Sequence, residues 1–237
     1  MGKSYVNCVS MLHMKRFENS FAILLSILMV TLYIHGGTIF LILLMGYVLK
    51  CLLCSSFQYE WKNFLIYLNR YKFSIFLLFI IPFCSFIYYL QPLELQPSLS
   101  TLMQDCIFYY LLVGLIEEFI CRALFLQAIY NFTESKKAAV VFSAVFYGIC
   151  HIPSVWGQAF LGVSMRVLWS VGLGLYLGAL YSKSKNYLFV SVIHMIADLS
   201  TIVFFFSNQT TYPAKCGAIV LILYILLGVY GLMQIEE

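Results

Sequence analysis

The chain has 237 residues, of which 62% are hydrophobic and 10% charged, against about 25% charged in a typical soluble domain. A mean hydropathy of +0.92 excludes most soluble folds, and so much apolar sequence also excludes a solvated, disordered coil. The net charge of +4 is scattered between apolar runs, so no basic stripe exists to neutralise phosphates and nucleic acid is not an expected partner.

What remains is an integral membrane protein: a single domain over 1–237, all-α and polytopic, with the lipid bilayer as its solvent. The opening segment, with Lys3, Lys15 and Arg16, is long for a signal peptide and has no A-x-A-like site. It reads as a retained cytosolic tail. Phe21 to Cys54 as one helix would measure ~51 Å, too long for a ~30 Å hydrocarbon core. The turn signal His35-Gly36-Gly37 splits it into two spans. A third span covers Phe73 to Leu90, and a loop with Pro92 and Pro97 follows. The remaining five are expected at Leu102–Tyr130, Lys137–His151, Gly157–Tyr181, Tyr187–Phe206 and Ala214–Met233.

These spans total about eight transmembrane helices. With the N-terminus inside, the cytosolic loops hold Lys50, Lys62, Arg70, Lys72, Lys136, Lys137, Lys183 and Lys185 besides the three tail residues, and the outside holds only Lys215. That asymmetry puts both termini in the cytosol. The eight cysteines lie mostly in apolar runs. Cys51-x-x-Cys54 has no second pair, so all eight read as buried thiols.

Ionisable residues inside a bilayer cost ~2.5–3.5 kcal/mol each on insertion scales, and here they cluster. The fourth span holds Glu117, Glu118 and Arg122; the fifth ends in Tyr147-Gly-Ile-Cys-His151; the seventh holds His194 and Asp198. Glu118 and Arg122 are i, i+4 on one helix face, as are His194 and Asp198. Glu117 is turned ~100° away from Glu118, toward a different space. Counted from the cytosolic span ends, Glu117 lies ~20 Å deep, His151 ~21 Å and Asp198 ~16 Å, so three helices bring polar groups to overlapping depths.

This set supports hydrolysis. A desolvated glutamate can act as general base toward water, and a histidine can orient that water or stabilise an oxyanion. Glu117, His151 and His194 are also donor types of a hydrolytic zinc site, which makes Zn2+ a candidate cofactor. Taken singly, Glu118–Arg122 reads as an ion pair locking helices, and His194–Asp198 as an interhelical contact or a carrier's proton relay. Arg166 reads as a structural cation paired with an acid or a headgroup. The conjunction is what points to a site.

Glu117-Glu118-x-x-x-Arg122, then Tyr147-x-x-x-His151, then His194-x-x-x-Asp198 on successive spans resembles the CPBP intramembrane metalloprotease family. Its members include type II CAAX prenyl endopeptidases and the bacteriocin-processing or Abi proteins. The resemblance covers about Leu111 to Asp198, inside an expected catalytic core of 102–206. It implies an intramembrane endopeptidase of the bacterial plasma membrane that cleaves a membrane-associated protein or peptide: a CAAX tail, a leader or a bacteriocin-like peptide. Glu117 would activate water with help from His151, while His194 and Asp198 would stabilise the oxyanion. Glu118, Arg122 and Tyr147 would support them, and both zinc and metal-free glutamate chemistry fit the pattern. Two positions depart from it: Tyr147 stands where Phe is usual, and Asp198 where the prenyl proteases have Asn. A carboxylate cannot donate a hydrogen bond as an amide can. The alternative function is a non-catalytic bacteriocin self-immunity or signalling-partner protein on the same scaffold.

Overall fold

The computed structural model describes residues 19–28, 61–90, 110–153, 160–202 and 214–236. Among them every regular element is helical and none is a strand. In chain order the helices are α1 (Asn19–Leu28), α2 (Trp61–Tyr89), α3 (Leu111–Glu118), a π-helical segment (Phe119–Leu126), α4 (Gln127–Thr133), α5 (Lys136–Cys150), α6 (Phe160–Ser184), α7 (Tyr187–Leu199) and α8 (Ala214–Met233). The turn expected at His35-Gly36-Gly37, the Cys51–Cys54 pair and the loop with Pro92 and Pro97 lie outside the described residues.

Among the described residues three helices are long and apolar enough to cross a membrane: Phe64–Tyr89, Phe160–Ser184 and Ala214–Met233. Their outer faces are apolar, with Leu65, Ile66, Phe73, Phe160, Leu161 and Leu226 exposed, as suits a surface solvated by lipid. The last of the three has the predicted bounds. Helix α2 instead begins at Trp61, twelve residues ahead of the predicted Phe73. Arg70 and Lys72 interrupt the apolar window there, yet both are exposed while Tyr67 and Leu68 pack on the core from the same turns. Helix α7 stops at Leu199 rather than Phe206. The Thr201 hydroxyl donates to the Asp198 carbonyl at 2.7 Å, a local bond that competes with further helix. The fourth span is not α-helical throughout, since directly after Glu118 it widens into the π segment. Such segments are rare and concentrate at functional sites.

Two tight connections set the register. Glu134 (φ 56°) and Lys185 (φ 51°) adopt the left-handed conformation, and each backbone N–H closes the preceding helix at 2.8 Å, onto the carbonyls of Tyr130 and Tyr181. The next residue in each case is an extended N-cap. Ser135 Oγ accepts from the Ala138 N–H and Asn186 Oδ1 from the Phe189 N–H. Thus α4 folds back on α5, and α6 on α7, with two residues per turn. Arg122 lies twelve residues before Glu134 and Tyr147 twelve after Ser135, so the two reach the same level of the α4–α5 hairpin, ~18 Å from the turn.

Small residues let these helices approach. A Cβ on Gly172 would meet the Tyr224 and Ile225 backbone at 2.9 Å, and one on Gly228 the Gly172 carbonyl at 2.8 Å, the small-residue contact that membrane helices favour. The enclosed core includes Leu78, Phe86, Ile116, Leu177, Phe189 and Ile193, all with no exposure. Helices α5 and α7 have 15 and 13 residues, or ~22 and ~20 Å, short of a full hydrocarbon core. They carry Tyr147 and His194.

Candidate active site

The polar residues of α3, the π segment, α5 and α7 converge on one imidazole. Arg122, with no exposure, donates from Nε to Glu118 Oε2 at 2.9 Å and from Nη1 to Ser143 Oγ at 2.8 Å. The Ser143 hydroxyl donates in turn to the Cys121 carbonyl at 2.8 Å. The guanidinium lies over the Tyr147 ring, 5.3 Å from its centroid, a cation–π contact strengthened by burial. This equal-level meeting of Arg122 and Tyr147 follows from the turn geometry.

The other oxygen of Glu118 is 3.0 Å from His194 Nδ1. A carboxylate only accepts, so this edge of the ring carries the proton. The opposite edge, Nε2, faces three oxygens: the Tyr147 hydroxyl at 3.0 Å, Asp198 Oδ2 at 3.4 Å and Glu117 Oε2 at 3.8 Å. Glu117, turned away from Glu118 by the helical angle, meets the ring from its other side. The two adjacent glutamates approach opposite edges of the same ring. Gly114, a turn before Glu118, lies close against the helix of His194: a Cβ there would lie 3.1 Å from Met195 Cγ and 3.6 Å from the Ser191 carbonyl.

Glu117 Oε2 is buried and has no hydrogen-bond partner among the described residues, although the side chain as a whole is 19% exposed. It is an acceptor directed at the same space as Asp198 and the Tyr147 hydroxyl. His151 caps α5 and donates from Nδ1 to the Tyr147 carbonyl at 2.8 Å, which leaves Nε2 as the acceptor nitrogen. Its ring meets the Tyr147 ring edge-on at 4.6 Å, and His194 meets that ring edge-on at 5.7 Å. Tyr147 thus stands between the two histidines, and the structure brings His151 to the tyrosine rather than into the ring of oxygens around His194.

Sequence reasoning missed two members. Ser143, i−4 from Tyr147 on α5, holds Arg122, and that spacing was the available signal. Arg166, set aside as structural, sits with its guanidinium over Trp169 at 5.0 Å, and its charge acts on Glu117, His151 and Asp198. Its signal was a lone cation deep inside an apolar span. For zinc, no group of three or more His, Cys, Asp or Glu side chains among the described residues is arranged to hold a metal ion. Among the described residues His194 Nε2 lies 3.8 Å from Glu117 Oε2 and 3.0 Å from the Tyr147 hydroxyl.

Residues 99–200 match the family model of type II CAAX prenyl endopeptidase Rce1-like proteins, a stretch that contains every residue of the cluster. No curated protein and no solved structure matches the chain.

Proposed function

We propose that the protein is an intramembrane endopeptidase similar to the type II CAAX prenyl endopeptidases, with Glu117 as the group that activates water. The observation that carries this reading is Glu117 Oε2, a buried acceptor without a hydrogen bond, 3.8 Å from an imidazole edge that two other oxygens share. A water bound there gives its proton to Glu117 as its oxygen attacks the scissile carbonyl carbon. The carbonyl oxygen becomes an oxyanion, and Glu117 then passes the proton to the departing amide nitrogen as the C–N bond breaks. Glu118 holds the His194 ring from behind, and Arg122 with Ser143 holds Glu118. His194 is then fixed where charge develops, so no reorganisation is needed during the reaction. The substrate is a membrane-associated protein or peptide, since the site lies among apolar helices.

The test compares peptide termini, by mass spectrometry, in membranes that carry native protein or Glu117→Gln at equal abundance. A terminus present only with native protein, falling about a hundredfold or more in the variant, is the expected outcome. Identical termini would remove the peptidase reading. If a biological effect then survived alanine at Glu117, His151 and His194 together, the non-catalytic immunity or signalling role would take its place.

A further inference from the structure

Peptide hydrolysis needs a hydrogen-bond donor at the carbonyl oxygen, and the acids of this site cannot supply one. Glu117 and Asp198, the two carboxylates at the His194 Nε2 edge, only accept when ionised. His194 Nδ1 faces Glu118 at 3.0 Å, and the Arg122 nitrogens Nε and Nη1 bond Glu118 and Ser143, while Nη2 has no hydrogen-bond partner among the described residues. One neutral O–H remains at this edge, the Tyr147 hydroxyl, 3.0 Å from Nε2 on a side chain that is 2% exposed.

We propose that the Tyr147 hydroxyl is a catalytic residue, the hydrogen-bond donor to the oxyanion, and that it fills the donor role which Asp198 as a carboxylate cannot. This rests on the peptidase reading above and adds the identity of the donor. At rest the hydroxyl lies 3.0 Å from His194 Nε2. A carbonyl oxygen entering the space bounded by Glu117, Asp198 and Tyr147 takes over as acceptor, and the bond strengthens as that oxygen gains charge. No proton leaves the phenol, so the hydrolysis keeps the proton balance already given: water to Glu117, Glu117 to the leaving nitrogen. The ring is held for this task on several sides, by the Arg122 guanidinium at 5.3 Å and by the edges of His151 and His194. Close packing also fixes it against α6, where a Cβ on Gly174 would lie 3.2 Å from Tyr147 Cδ1.

Those ring contacts make Tyr147→Phe a clean test, because phenylalanine keeps all of them and removes only the hydroxyl. The readout is the rate at which the Glu117-dependent terminus forms in membranes, measured over a range of substrate expression so that turnover and apparent affinity separate. The expected result is a fall in turnover of about a hundredfold, the usual consequence of losing one oxyanion donor, with apparent affinity and thermal stability kept. Adding Asp198→Asn, whose amide can donate, is expected to restore about tenfold of that loss in the Tyr147→Phe background. A variant that forms the terminus at the native rate, or loses affinity rather than turnover, overturns the assignment and leaves the peptidase reading standing. Absence of any Glu117-dependent terminus removes that reading and the assignment together.

Discussion

The two sides of the His194 ring differ in a way that separates support from chemistry. Behind the ring, Glu118 and Arg122 have no exposure, and their contacts, with Ser143 included, fall between 2.8 and 3.0 Å. In front of it, Glu117 is 19% and Asp198 26% exposed, and they stand 3.8 and 3.4 Å from Nε2. The rear side is the more deeply buried: Arg122 pairs with Glu118 and Ser143, and a buried charge without a partner is costly. The front side holds three oxygens around one nitrogen, two of them on partly exposed carboxylates. Two glutamates adjacent in sequence thus do different work because the helix turns them to opposite edges of one imidazole.

The largest effect is expected behind the ring. Arg122→Met leaves Glu118 as a buried charge without its main partner, a loss of about 3–5 kcal/mol in measured cases. The expected outcome is loss of folded, detergent-stable protein in size-exclusion chromatography. Glu118→Met added to it removes the orphaned charge, and the double variant should recover folded protein while remaining inactive, since His194 loses its rear support. A double variant that cleaves normally would break the division between the two sides. Ser143→Ala is the milder version. It takes one acceptor from Arg122 Nη1, and an unsatisfied group of this kind costs about 1–3 kcal/mol. A lowered melting temperature with some cleavage retained is the outcome that fits.

The spacings within helices were legible. Glu118 with Arg122 and His194 with Asp198 sit at i, i+4, and their pairing requires nothing outside their own helices. The meetings between helices were not. Arg122 reaches Tyr147 because Glu134, a residue without the glycine signal of a helix stop, takes φ 56° and sets the hairpin register. The Tyr147 hydroxyl reaches His194 across α5 and α7, which are not consecutive in the chain. The helical angle turned Glu117 away from Glu118, but that both reach one imidazole required the position of α7. The start of α2 was hidden because Arg70 and Lys72 interrupt the apolar window, although their charges point outward.

The smallest effect is expected where position and stability can be pulled apart. At Gly114 helix α3 packs closely on His194's own helix. A methyl group there would sit 3.1 Å from Met195 Cγ, the middle of a flexible side chain, with the backbone atoms at 3.6 Å. Methionine adapts to such intrusions, so Gly114→Ala should cost little stability. Alanine's better helix propensity offsets part of that cost, by roughly 1 kcal/mol in a helix interior. Yet Met195 is the neighbour of His194, and Glu117 follows Gly114 by three residues, so a shift of a few tenths of an ångström falls on the 3.8 Å gap between them. The outcome that sharpens the comparison is an unchanged melting temperature together with a several-fold lower cleavage rate. If stability and rate fall together, the gap in front of the ring is set by overall packing, and the front side is no more finely positioned than the rear.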